Sequence, residues 1–67
     1  MTDVALLDQG SLIGFQPVSD AAQEWFADNV ASEDWQWFGP VLWVEHRLAR
    51  ELAIAVEAAG LRVEAQR

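Results

Sequence analysis

Apolar positions recur along this chain with two different periods, and the changes of period divide it into elements. In SLIGFQPV, Ile13 and Phe15 fall on one face of a period-2 pattern, which predicts a strand over Leu12 to Gln16, ended or confined to an edge by Pro17. Upstream, VALL followed by DQGS is either the other arm of a hairpin or a frayed end. Ser19 and Asp20 are both good N-caps, and Ala22, Trp25, Phe26, Asn29 and Val30 follow at helical spacing, so an amphipathic helix is predicted over Asp20 to Val30. Trp25 and Phe26 share its apolar stripe and read as core.

VLWVE, after Gly39 and Pro40, predicts a strand over Val41 to Glu45. Both its faces are apolar, Val41 and Trp43 on one and Leu42 and Val44 on the other, as in a central strand covered on both sides. HRLARELAIAVEAAG then places Leu48, Leu52, Ala55, Val56 and Ala59 on one helical face, with Gly60 at the C-terminal stop. LRVEAQ alternates Leu61, Val63 and Ala65 against Arg62, Glu64 and Gln66, as a half-exposed edge strand does.

These elements compose a small α/β domain spanning residues 1–67, in the order β-α-β-α-β. A helix of about 13 residues returns the chain by ~20 Å, so flanking strands are expected to run parallel with right-handed crossovers. The predicted sheet is three-stranded and mostly parallel, in the order 1-2-3, with both helices on one face. VLWVE is then central and the other sheet face carries no helix. The aromatic loop, the N-terminal segment or a second copy of the chain is needed to cover that face.

Composition sharpens this outline. A chain of 67 residues lies near the lower end of what folds alone, and at this size folding buries only about 60% of the surface the unfolded chain exposes. An apolar content of 52% with four Trp and three Phe separates it from disordered sequences. Cys is absent, which excludes disulfides and thiolate metal sites and fits a reducing cytoplasm. Apolar runs are far shorter than the ~20 residues that cross a bilayer, and MTDVALLDQG carries acids where a signal peptide carries bases, so the expectation is a soluble, unprocessed protein.

Charge is uneven. Residues 1–40 hold seven acids (Asp3, Asp8, Asp20, Glu24, Asp28, Glu33, Asp34) and no Lys or Arg, whereas residues 41–67 hold four acids and four Arg, so the whole net charge of −7 falls in the first 40 residues. Nucleic acid and anionic membrane are disfavoured partners, because affinity for both comes from cationic side chains.

FQPVSDAAQEW, QWFG, VLWVEHR and the closing AAGLRV together resemble a group of short proteins encoded in bacterial and phage genomes. Their shared layout is a strand-Pro-cap-helix start, a Trp, a Val-Glu strand end and a terminal Gly-Leu-x-Val. The resemblance covers about Leu12 to Val63. It implies a small α/β fold and a mobile-element origin; it implies no activity and no site residues.

Candidate chemistry is sparse. His46 is the only histidine, and without Cys or Lys the residues for nucleophilic or general-base catalysis are nearly absent. Glu45 and His46 stand at a strand-to-helix junction, where a small-ligand or enzymatic site is the third reading behind a solvated helix start. HRLARE does not match the HExxH spacing, the four Gly never cluster into a phosphate loop, and Asp28, Glu33 and Asp34 lack the acid ladder of a calcium loop, so no catalytic residue, cofactor or metal site is assigned.

SEDWQWFGP remains. At alternating positions Trp35 and Trp37 point the same way from an extended segment and Phe38 the other, and with Trp43 the three are candidate interface residues. They either close the small core or meet a partner, since Trp is enriched among interface hot spots. The resulting expectation is a non-enzymatic protein acting through protein-protein contact, as a homodimer. The alternative is a mobile-element regulator or inhibitor that presents Asp20, Glu24, Asp28, Glu33 and Asp34 to a basic surface of a nucleic-acid-binding protein.

Overall fold

The computed structural model describes residues 2–30 and 37–66, the last by its backbone alone. Strand β1 (Val4–Asp8) turns into β2 (Leu12–Pro17), followed by helix α1 (Asp20–Asn29). A two-residue strand β3 (Trp37–Phe38) turns into β4 (Val41–Glu45), which leads directly into helix α2 (His46–Ala58) and then strand β5 (Val63–Gln66). The chain thus contains a hairpin-helix unit twice in succession, with one strand added.

The five strands form one sheet in the order β3-β4-β2-β1-β5. β1 pairs antiparallel with β2, β2 with β4, and β4 with β3; among neighbours only β1 and β5 pair in parallel. This corrects the expected fold. The sheet is five-stranded, mixed and mostly antiparallel, not three-stranded and mostly parallel in the order 1-2-3. The middle strand is β2, not VLWVE.

The cause is two hairpins. VALL is paired along its length, Leu6 opposite Phe15, so it is a full strand and neither end is loose. Gly39 adopts a positive φ of +61°, and with Pro40, whose ring holds φ near −65°, it makes a two-residue hairpin loop instead of an extended lead into β4. Each helix still joins strands running the same way, β2 to β3 and β4 to β5, but those strands are not neighbours in the sheet.

Local chemistry sets the ends of the elements. The Asp8 carboxylate accepts the Gly10 N–H at 2.9 Å in the β1-β2 turn. Ser19 caps α1, its hydroxyl accepting the Ala22 N–H at 3.1 Å. α2 ends where Gly60 N–H reaches the Glu57 carbonyl and Leu61 N–H joins the Ala59 N–H on the Val56 carbonyl, satisfying acceptors of the last turn.

One core holds the molecule together, and it contains buried residues of both helices: Ala22 and Phe26 from α1, Ala49 and Val56 from α2. Against them the sheet presents Val4, Phe15, Leu42 and Val44. The ladder register places Trp37, Leu42, Phe15 and Leu6 in one row across four strands on this covered face. Phe26 stands over that row, 6.3 Å from the Phe15 ring, 6.5 Å edge-on to Trp37 and 5.3 Å edge-on to Trp25. The buried stripe of α2 is turned from the expected one. Ala49, Leu52, Ala53 and Val56 face the core, while Leu48 is about half exposed.

Among the described residues no helix is long and apolar enough to cross a membrane.

Candidate interaction surface on the bare sheet face

Side chains alternate across a sheet, so the residues between the core positions point to the face that carries no helix. The register puts Trp43 opposite Gly14 and Gly14 opposite Leu7, Phe38 opposite Val41, Leu12 opposite Glu45, and Ala5 between Gln16 and Glu64. Leu7, Leu12, Val41, Trp43 and Phe38 make this face apolar over β3, β4 and the turn end of the β1-β2 hairpin.

Gly14 explains how Trp43 lies there. A Cβ at position 14 would come within 2.8 Å of Trp43 Cζ3 and Val41 Cγ1 and within 2.9 Å of Trp43 Cη2. The indole therefore occupies space beside the β2 backbone that only glycine leaves. The packing is partial: Trp43 is half-buried, Leu12 is 41% exposed and Phe38 68% exposed. A depression of about 270 Å³ lies among Gln9, Leu12, Phe38 and Trp43.

The candidate interface residues are thus divided by the sheet. Trp43 and Phe38 are on the bare face, whereas Trp37 is on the covered face against Phe26. Trp35 lies outside the described residues. Among the acids, Asp20, Glu24 and Asp28 are all exposed along α1, on the helix side of the molecule; Glu33 and Asp34 lie outside the described residues.

Glu45 and His46 occupy the start of α2. Glu45 is the exposed N-cap residue and its side chain makes no capping hydrogen bond. The His46 Nε2 meets the Gly10 carbonyl oxygen, tying α2 to the β1-β2 turn. That contact gives the ring a structural task. No group of three or more His, Cys, Asp or Glu side chains among the described residues is placed to hold a metal ion.

A polar junction at the opposite end joins distant parts of the chain. The Asp3 carboxylate accepts the Arg62 N–H at 2.9 Å, the Asp3 N–H donates to the Arg62 carbonyl, and the Asp3 carbonyl accepts from Val18 and Ser19. The Arg62 N–H, and after it the Ser19 side chain, hold the Asp3 carboxyl below the usual carboxylate range.

Residue type alone pointed to Trp43 and Phe38, but not to Leu7, Leu12 and Val41. The signal that was present is the isolated Gly14 inside an apolar strand, which marks a close approach. No protein-family model matches the chain, and the comparisons with curated proteins and with solved structures gave no match. The functional reading therefore rests on the geometry.

Proposed function

We propose that the protein is non-enzymatic and works through protein-protein contact, its bare sheet face docking on the same face of a second copy. The observation that carries this is the apolar patch of Leu7, Leu12, Val41, Trp43 and Phe38 on the face opposite both helices, with Leu12 and Phe38 strongly exposed.

Charge favours a second copy as the occupant of this face. In a two-fold contact each patch meets itself, so a strongly charged patch repels its mate. The carboxylates of Asp20, Glu24 and Asp28 stand on the helix side, while β-strand positions on the bare face contribute only Glu45 and Glu64, flanking the apolar area, among the described residues. Two such faces form a sandwich with the sheets about 10 Å apart, each Trp43 and Phe38 packing into the opposing surface. A cytoplasmic location fits the lack of cysteine.

Sedimentation equilibrium tests the reading. The expected species has twice the chain mass of 7.5 kDa. Phe38→Asp and Leu12→Asp each place a carboxylate in the contact and should yield folded monomers. A folded wild-type protein that stays monomeric across the accessible concentration range overturns the proposal, as does a dimer indifferent to both substitutions.

A further inference from the structure

The helix side of the molecule has a second concave feature, independent of the bare face. Pro17, Gln23, Phe26, Ala27, Trp37 and Pro40 line a groove of about 350 Å³ between α1 and the β3-β4 hairpin. Its floor and walls are apolar, with the Gln23 amide as the polar group. The volume lies at the lower end of the range for ligand pockets and suits one or two side chains better than a cofactor.

The rim on the α1 side is acidic. Gln23 and Ala27 form the flank of α1 turned to the groove. Asp20, Glu24 and Asp28 follow at i,i+4 steps on the adjoining outer strip of the same helix, Asp20 three residues before Gln23 and Glu24 three before Ala27, and all are exposed. No Lys or Arg lies within α1. Like charges at this spacing destabilise a helix, so the stripe has a standing electrostatic cost that an external cation would relieve.

From the groove and its rim together we infer that this site binds a short basic segment of another protein, one apolar side chain seated among Pro17, Phe26, Trp37 and Pro40 and flanking Arg or Lys side chains on Asp20, Glu24 and Asp28. The apolar anchor supplies the burial, and the flanking charges select a cationic partner and exclude an acidic one.

Two end-blocked tetrapeptides test this by NMR titration: Arg-Leu-Phe-Arg, and Glu-Leu-Phe-Glu with the same anchor and reversed charge. The expected result is binding of the arginine peptide at least ~10-fold tighter than the glutamate peptide, a preference that fades as salt screens the rim. Amide shifts should centre on Gln23, Ala27 and Trp37. Ala27→Trp, which fills the groove from an exposed helix position, should abolish binding. Ala27→Arg, should the bulkier variant fold poorly, should repel the arginine peptide. Asp20→Asn, Glu24→Gln and Asp28→Asn combined should bring the two peptides to equal affinity.

Equal affinity in the wild-type protein, absence of binding, or shifts centred on Leu12, Phe38 and Trp43 would each overturn the inference. So would a ~10-fold gain in affinity on Trp35→Ala, a change of about 1.4 kcal/mol, because the groove would then belong to residues 31–36 of the chain itself.

Discussion

The two faces of the sheet use the same strands and differ in how they are finished. On the covered face Phe15 and Leu42 are almost wholly removed from water, and Phe26 of α1 locks Phe15, Trp37 and Trp25 into one aromatic group. One residue along each strand, the bare face carries side chains just as apolar, yet Trp43 is only half-buried and Phe38 stands mostly in water. Hydrophobicity is therefore not what separates the faces; helix is. The two helices of the described residues are both on one side, and a domain of 67 residues has little chain to spare for the other.

The largest expected effect lies on the covered face. Phe15→Ala removes a ring with no exposed surface from the centre of the row Trp37, Leu42, Phe15, Leu6, and should cost about 3–5 kcal/mol. For a domain of this size that is comparable with the entire stability of a few kcal/mol, so urea denaturation should find the variant largely unfolded at neutral pH. Retention of most of the wild-type midpoint would remove Phe15 from the core.

On the bare face the expected effect is smaller and has a different origin. Gly14→Val pushes a side chain into Trp43 and Val41 where even a Cβ is at 2.8 Å. Overpacking of this kind costs about 1–3 kcal/mol, offset by up to ~1 kcal/mol of β-propensity. The loss should shrink in a Trp43→Ala background, because the ring that must move is gone. A double-mutant cycle in urea measures this coupling, and additivity would mean that the indole does not rest on Gly14.

How far this division was legible in the sequence differs by element. α1 and α2 were readable because each has a 3.6-residue apolar period and a recognisable end, Ser19 for one and Gly60 for the other. β2, β4 and β5 were readable from β-branched and alternating residues. VALL is a continuous apolar run with no period to decide between strand and frayed end, and the two residues of β3 carry no period at all. With both hairpins unresolved, strand direction and order were unreadable, since the positive φ of Gly39 is a property of the folded turn. The bare face was legible only at its aromatics: Leu7, Leu12 and Val41 join Trp43 through the cross-strand register, which a single sequence does not display.

A third substitution tests the polar junction where β1, the start of α1 and the approach to β5 meet. The Asp3 carboxyl is held below its ordinary value by the Arg62 N–H and then by Ser19, so its folded pKa lies below the unfolded value of about 3.9. The ionised form is thus favoured by folding: its stabilisation is present above the unfolded pKa and is lost as the pH falls through the folded one. Asp3→Asn keeps the shape and an acceptor oxygen while removing the charge. It should melt below the wild-type protein at pH 7, and the two curves should converge in acid. A gap independent of pH would show that the charge of Asp3 contributes nothing to stability.

The smallest expected effect on stability separates fold from function most cleanly. Phe38 lies on the bare face at the tip of the β3-β4 hairpin, 68% exposed. Phe38→Ser removes little buried surface, so the monomer's unfolding free energy should change by no more than about 0.5 kcal/mol. If the ring serves a contact between copies, the same substitution should lower self-association clearly, since a Phe buried only in the dimer gives up its burial there and nowhere else. Measured together at low and high protein concentration, the two quantities divide the possibilities. Loss of association at unchanged monomer stability assigns Phe38 to the interface. Loss of both in proportion would mean that the hairpin tip belongs to the fold, and that the bare face is less bare than its exposure indicates.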